Sequence, residues 1–546
     1  MNKVLSKQSI VVQTDDGAVN VALHTIALGK QVIVFNNSKR SSEATAEKIA
    51  KQIRNPQQPQ ELAKLSELIL KALPQPTSQC KRLSEIVKKG IAFHHSGLTT
   101  KQRDALEKAF LDGLLRCISA TPTLAAGLNL PAYKVIIKDY KRYSSRGYVD
   151  IPVLEYHQMS GRAGRPGKEL VGKAVVCVKS EEEMSKVAVK YIFGKPEEIL
   201  SKLAVEPTLK MYLLSLIAMN VINTQNEVFN FFSKTLYAYQ YKDDSAFRTN
   251  LLRILGMLKE YGFIDEDNSM YVATPLGKKV SELYINPDTA NYFLKNIEKF
   301  FDKFAKSPTR YDEYSLFYFV ANTIEMKPYF SVTKKQEEEY AQKAQDMEPF
   351  LLVSFDPFEQ DYEHHLQIIK LAEVMEDWVR EAGEDYISEK YSITPGEFHF
   401  KVEIFDWLLY CLEELSSAKR NFFFKNYIHR FRIRCKYGVK EELLSLLSLK
   451  GIGRIRARKL FNLGLKTLSD LRKTSNEYLA KAIGDVTALQ IKKQVETENS
   501  DKTLVDTPKE IKLKEVTDAE VELLLANDKD FEEEKKKVAG NLLDYF

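Results

Sequence analysis

Along the first two hundred residues the apolar positions fall into two alternating kinds of run. Short β-rich runs occur at Gln31–Phe35 (QVIVF), Ile91–His94, Leu115–Ser119, Lys134–Lys138 and Ala174–Val178. Between them, Asn20–Leu28, Ser41–Ile53, Leu83–Val87 and Thr100–Leu111 carry apolar residues at helical spacing. Apolar runs without polar alternation are typical of strands covered on both faces. Strands alternating with helices predict a doubly wound parallel sheet, with ligand loops at the carboxyl ends of its strands. From about Ala204 to Ala290 the pattern changes to helices and one strand pair. There Leu251–Tyr261, followed by GFIDEDNSMYVATPLG, predicts a recognition-type helix with its wing. Asn291 to about Tyr437 is mainly helical. Ile368, Leu371, Ala372, Met375 and Val379 recur there at core spacing, one buried stripe with Trp378 about 80° off its centre.

Chemistry concentrates in Gln158–Gly167, QMSGRAGRPG, where Arg162 and Arg165 stand three residues apart among glycines just after VLEY. Glycine lets a backbone approach a ligand closely, and a guanidinium is a planar fork that matches phosphate oxygens. Taken alone, the ten residues also fit a Gly/Arg-rich surface turn. Upstream stand Ser119–Ala132 (SATPTLAAGLNLPA), Ile91–Leu98 (IAFHHSGL) and Val32–Arg40 (VIVFNNSKR). In this order they resemble motifs IV, V and VI of superfamily 2 helicases, closest to the archaeal repair helicases known as Hjm and their eukaryotic relative HELQ. The resemblance runs from about Val32 to Ile483.

The resemblance implies an ATP- and Mg2+-dependent DNA helicase of 3′ to 5′ polarity, acting on forked or branched DNA in replication-fork repair and recombination. Residues 1–200 would be the second RecA-like domain of the motor. Gln158, Arg162 and Arg165 would reach the γ-phosphate, with Gly127, Asn129, Gly161 and Gly164 lining the nucleotide. Thr121 and Thr123 would hold the strand backbone. The hairpin expected around Ser144, Ser145, Arg146 and Gly147 would be the wedge that parts the duplex, although from the residues alone an ordinary surface hairpin fits equally. Residues 201–290 form the winged helix, a strut in this family. Residues 291–437 form the all-α ratchet domain, whose tryptophan, here Trp378, stacks on the tracking strand; the residues alone also allow a core-edge indole. The family places an arginine about two turns earlier, where this chain has Leu371 beside Lys370. That departure leaves Lys370 as the DNA-contact candidate.

Residues 438–500 resemble a helix-hairpin-helix. The Gly451-Ile452-Gly453 turn would offer amides to a phosphate, and Arg454, Arg456 and Arg458, with Lys459, would add charge. A solvated basic helix face is the alternative. Residues 501–546 are charged and acid-rich and are expected to form a flexible tail. Its last residues, Leu542, Tyr545 and Phe546, repeat the spacing of peptides that bind the sliding clamp PCNA, with Ala539 where such peptides carry glutamine; a frayed helix end gives similar apolar letters.

One half of the ATP site has no candidate. GxxxxGK[ST] loops cradle phosphate with backbone amides and hold magnesium with the hydroxyl. The nearest match, Gly167–Ala174 (GKELVGKA), ends in Ala174 and runs into a strand, and Asp312-Glu313 follows SPTRY, which is no strand. The expectation is a chain inactive alone, either truncated or paired with a separate RecA-like polypeptide carrying the P-loop. Two other readings stay open: a clamp-recruited DNA-binding module without motor function, and an RNA helicase subunit of the related exosome-cofactor group.

Composition adds bounds. An apolar content of 44% and a net charge of +5 over 546 residues suit several globular domains, with any nucleic-acid surface made by local clustering. The five cysteines show no CxxC spacing, which argues for reduced thiols in the cytoplasm and against a metal site. No apolar run reaches the roughly 18 residues of a membrane span.

Overall fold

The computed structural model describes residues 9–125, 129–144, 147–165, 171–241, 244–305, 309–355 and 361–497. These residues form two compact units: one up to Glu198 together with Ser392–His399, the other Ile199–Tyr391 and onward from Phe400.

The first unit is α/β. Its strands are β1 (Val32–Phe35), β2 (Ile91–His94), β3 (Cys117–Ala120), β4 (Lys134–Ile137), the pair β5 (Lys141–Ser144) and β6 (Gly147–Asp150), and β7 (Lys173–Val176). Its helices are α1 (Gly17–Ala27), α2 (Lys39–Gln52), α3 (Pro59–Leu70), α4 (Ser78–Val87), α5 (Thr100–Leu111), α6 (Val153–Ser160) and α7 (Glu181–Val187). Five strands make one parallel sheet in the order β2-β3-β1-β4-β7. All residues of β1 to β4 are buried, mostly apolar but with His94, Ser119 and Lys134 among them, whereas β7 at the sheet's edge is half open. Helix α1 packs on β1 and β4, α2 on β2 and β3, and α6 on β4.

Caps move several expected boundaries. Asp16 accepts the amides of Ala18 and Val19 and starts α1 at Gly17 rather than Asn20. Thr99 and Gln102 form a capping box at the head of α5. Helix α3 has no counterpart among the expected helices, yet it opens with Pro59 in its first turn and buries Leu62, Leu65 and Ile69 at helical spacing.

The second unit is largely helical: α8 (Glu206–Ala218), α9 (Gln225–Phe232), α10 (Leu236–Tyr241), α11 (Asp244–Glu260), the strand pair β8 (Ile264–Asp267) and β9 (Met270–Ala273), α12 (Pro275–Glu282), α13 (Pro287–Phe304), α14 (Arg310–Ala321), α15 (Glu337–Met347), α16 (Tyr362–Val379), α17 (Glu384–Tyr391), α18 (Pro395–Ala418, from Phe400 on) and α19 (Phe422–Tyr437). After these come α20 (Leu444–Leu447), α21 (Arg454–Asn462), α22 (Leu468–Lys473), α23 (Asn476–Ile483) and α24 (Asp485–Thr497), which close around a core of their own including Leu446, Leu460, Leu479 and Ile491.

Helix α16 corrects the expectation of a single buried stripe. Packed by α14, α15, α17 and α19, it is buried almost all round, with Lys370, Glu373 and Glu376 among its buried residues. Glu373 meets Lys343 and Lys390 at 2.8 and 3.0 Å, and Glu376 meets Arg310 and Arg380 at 2.8 and 2.9 Å. Carboxylates with such partners can sit inside, where isolated ones could not.

His365 at the head of α16 is 2% exposed; it stacks on Phe355 with centroids 4.2 Å apart and lies 3.0 Å from the Tyr318 hydroxyl. Burial pulls its pKa down to about 4. The folded chain therefore resists a proton that the unfolded chain accepts near pH 6.5, so this contribution is complete above that pH and is lost as pH falls towards 4. Urea midpoints should show about 2 kcal/mol of stability lost between pH 7 and pH 5 from this group. The His365→Gln variant should lack that part of the pH slope; an unchanged slope would refute the assignment.

Candidate functional site

Because its strands are parallel, the sheet has a carboxyl edge and an amino edge, and the candidate residues divide between them. At the carboxyl end of β3, Thr121 and Thr123 hold their hydroxyls 2.9 Å apart, and the Thr121 amide bonds to the His94 carbonyl at the end of β2. From there the chain crosses through Ala125 and Asn129, which is exposed, to Ala132 and Tyr133 at the amino end of β4. Gly127 lies outside the described residues.

The arginine loop sits on the other edge, which corrects the expectation that motifs V and VI both occupy carboxyl ends. The VLEY segment is the first half of helix α6, which runs back along β4 and delivers the loop to the amino ends of β4 and β7. Two backbone hydrogen bonds stitch the loop down: the Ala132 amide donates to the Arg162 carbonyl at 2.9 Å, and the Gly164 amide to the Ala132 carbonyl at 2.7 Å. Gly164 has φ +99°, and a Cβ on neighbouring Gly172 would lie 2.3 Å from the Ala163 backbone. Only glycines permit both the turn and the close passage of the two segments.

On this scaffold the Arg162 guanidinium donates through Nε to the Ala125 carbonyl at 3.2 Å, and its Nη2 donates to the same oxygen. Partial burial lowers its pKa, which for a guanidinium leaves it a cation. Arg165 Nη1 donates to Gln31 Oε1 at 2.5 Å. Gln31, 1% exposed at the head of β1, is fixed in turn because its amide donates to the carbonyls of Phe110 and Leu115 at 2.6 and 2.7 Å. Gln158 and Gly161 are exposed at the end of α6. Gln158, Gly161, Arg162, Gly164 and Arg165 thus lie on one stretch from the end of α6 into its loop, while Thr121 and Thr123 stand at the carboxyl end of β3. Gln31, Ala125 and Ala132 were not expected to contribute; a glutamine at the head of an apolar run was the available signal for the first.

Strands β5 and β6 form the expected antiparallel hairpin, Ser144 opposite Gly147, with Ser145 and Arg146 outside the described residues. Arg142 on β5 pairs with Glu155 of α6 at 3.1 Å. Glu197 accepts the amides of Val153 and Leu154 at 2.7 and 3.0 Å, capping that helix.

In the second unit, two DNA-contact candidates are corrected. Trp378 is 5% exposed, donates its indole N–H to the Cys435 carbonyl at 2.8 Å and lies under the Arg454 guanidinium 4.4 Å from its ring. Its face is occupied from within, so no base can stack on it in this structure. Lys370 is 1% exposed and donates to the Ser331 carbonyl at 2.8 Å and Gln336 at 3.2 Å. Two of the three arginines after Gly453 are likewise turned inward. Arg454 also bonds the Ala382 carbonyl at 2.7 Å, and Arg458 grips Glu381 and, at 2.7 Å, Glu442. Arg456, Lys459 and Gly451 are exposed, and Gly453 caps α21 with no side chain on its leading amides. Residues 439–497 nevertheless carry twelve basic and six acidic side chains, a local net charge of +6 in a chain of net +5. Among the described residues no three His, Cys, Asp or Glu side chains converge as metal ligands, and no helix is long and apolar enough to cross a membrane. Leu542, Tyr545 and Phe546 lie outside the described residues.

Residues 72–167 match the helicase conserved C-terminal domain, and residues 314–438 match archaeal helicase, domain 4. The chain is 34% identical over 492 residues to a protein of Methanococcus vannielii named ATP-dependent DNA helicase Hel308, covering 83% of this chain and 64% of that one. Relatives of the same name in Methanocella arvoryzae and Pyrococcus horikoshii are 35% identical over 499 residues and 36% over 459, covering 88 and 82% of this chain. The chain spans 65% and 61% of the length of these two relatives. By these matches the chain is similar to the Hel308-type family of archaeal superfamily 2 helicases.

Proposed function

We propose that this chain supplies the arginine side of the ATP site and the DNA grip of a cytosolic 3′ to 5′ DNA helicase that unwinds forked or branched DNA in fork repair. The observation that carries the reading is the division between the two sheet edges. Arg162 and Arg165 are held at one, on a loop fixed to the Thr121–Ala132 crossover, and two threonine hydroxyls stand at the other. Phosphate chemistry and strand contact can then occupy opposite edges of one rigid sheet.

In this reading ATP and Mg2+ lie against a second RecA-like domain that carries the GxxxxGK[ST] loop absent from residues 1–546, on the same or another polypeptide. Gln158, Arg162 and Arg165 meet the γ-phosphate, with Gly127, Asn129, Gly161 and Gly164 lining the nucleotide. The arginines must exchange Ala125 and Gln31 for phosphate oxygens. A developing anionic charge rewards that exchange most in the transition state. Closure on ATP and reopening on product release would advance the chain along one strand. The β5–β6 hairpin, Ser144–Gly147 included, serves as the wedge. Residues 201–290 act as a winged-helix strut, and 438–500 as a helix-hairpin-helix whose Gly451–Gly453 turn and Arg456 meet phosphates. The Leu542–Phe546 end docks on PCNA.

The test combines the chain with the portion of the Methanocella arvoryzae relative that lies outside the matched residues. Strand displacement should require both parts and ATP. It should be at least about tenfold faster on 3′-tailed than on 5′-tailed forks, given that stepping along one strand has a direction. Equal rates on the two tails, or hydrolysis by this chain alone, would overturn the reading.

A further inference from the structure

We infer that Glu155 is a positioning residue that joins the β5–β6 hairpin to the arginine loop through helix α6, so that strand separation depends on it while ATP hydrolysis does not. The inference rests on the proposed roles of hairpin and arginines.

The geometry starts at the carboxyl end of β4. There the chain leaves for the hairpin at Tyr140 and returns at Ile151, and the Ile151 amide donates to the Tyr140 carbonyl at 2.9 Å. Tyr191, fully buried, seals this base: its hydroxyl donates to the Ile151 carbonyl at 2.9 Å, and its ring lies 5.0 Å from that of Tyr156 on α6. Helix α6 then runs from this edge to the other. Its eight residues span about 12 Å at 1.5 Å per residue, close to the length of the four-residue strand it covers. One end of a single rigid element thus stands at the hairpin and the other at Arg162.

A two-stranded hairpin is marginal by itself and takes its orientation from what it packs on. Arg142 is on the inward side of β5, opposite Val149, whereas Tyr148 on β6 is 73% exposed. The Arg142–Glu155 pair, with side chains 28 and 10% exposed, ties that inward side to the first turn of α6. Ion pairs withdrawn from solvent contribute little net stability, and their best-attested use is to fix register. One helical turn further along stands Gln158, then the loop. With the tie in place, a displacement of the arginine loop on nucleotide binding moves the hairpin with it. Without it, the loop can still close on ATP while the hairpin lags.

The decisive variant is Glu155→Gln in the full chain, combined with the P-loop domain. ATP turnover on single-stranded DNA should stay within about twofold of the parent, while base pairs opened per ATP should fall at least tenfold. The charge swap Arg142→Glu with Glu155→Arg should restore coupling. In the chain alone, amide exchange of residues 147–150 should accelerate in Glu155→Gln with α6 unchanged. Parallel loss of turnover and unwinding, full unwinding by Glu155→Gln, or unaltered hairpin exchange would each overturn the inference. A parent pair that displaces no strand would instead overturn the helicase reading, and the exchange measurement would still decide whether Glu155 holds the hairpin.

Discussion

Replacing Arg165 or Arg162 by alanine is expected to lower ATP turnover of the completed motor by about 10³-fold or more, the range in which arginine fingers act on phosphoryl transfer. The structure gives reasons to expect so large an effect. Both side chains are prepositioned on a loop stitched to Ala132, and Arg165 is aimed by a glutamine whose own amide is held by two carbonyls. A group held in place before the reaction loses little freedom when charge develops on the phosphate. Substitution should spare the fold, because Gln31 keeps its bonds to Phe110 and Leu115 without Arg165. The Arg165→Lys variant sharpens the test: charge is kept but the planar fork is lost, so turnover should fall between parent and alanine. Single-turnover hydrolysis, with DNA affinity measured without nucleotide as a control, reads the effect. Less than a tenfold loss in both alanine variants would remove these residues from the chemistry.

How much of this was legible in the letters depended on whether partners are local. The parallel sheet was legible, because VIVF is wholly apolar and IAFH and KVII are apolar but for His94 and Lys134 at their ends, a pattern that suits strands covered on both faces. The arginine pair was legible as a candidate, since guanidinium and glycine together suit a phosphate, though a Gly/Arg-rich surface turn has the same letters. Its position was misread. A loop that follows a helix and precedes a parallel strand lies at the strand's amino end, and the short, mixed letters VLEYHQMS give little sign of that helix. Gln31 and Glu155 escaped for another reason. Their partners, Arg165 and Arg142, lie 134 and 13 residues away, and nothing in periodicity reports such pairs. The charged residues inside α16 defeated the stripe reading in the same way: Lys343, Lys390 and Arg310, which make burial of Glu373 and Glu376 tolerable, come from other helices.

Trp378 is where the two views part most sharply, and a second large effect follows. The Trp378→Ala variant should lose about 3–5 kcal/mol of stability, the cost of emptying a buried aromatic site. Part of that loss comes from the Cys435 carbonyl, which would forfeit its indole donor. The site cannot refill easily. Gly438, which ends α19 at φ +64°, passes so close that a Cβ there would lie 2.3 Å from the indole, and Arg454 covers the ring 4.4 Å away. By the same contact Gly438→Ala should itself be destabilising, by about 1–3 kcal/mol for overpacking beyond the strain of its left-handed backbone. A base-stacking indole makes the opposite forecast: small stability loss on truncation and strong quenching by DNA. With Trp407→Phe leaving Trp378 as the remaining tryptophan, emission should be that of a buried indole and should not respond to single-stranded DNA. Quenching on DNA addition, together with a Trp378→Ala variant that melts like its parent, would return Trp378 to the DNA path and leave its contacts with Cys435, Gly438 and Arg454 without energetic weight.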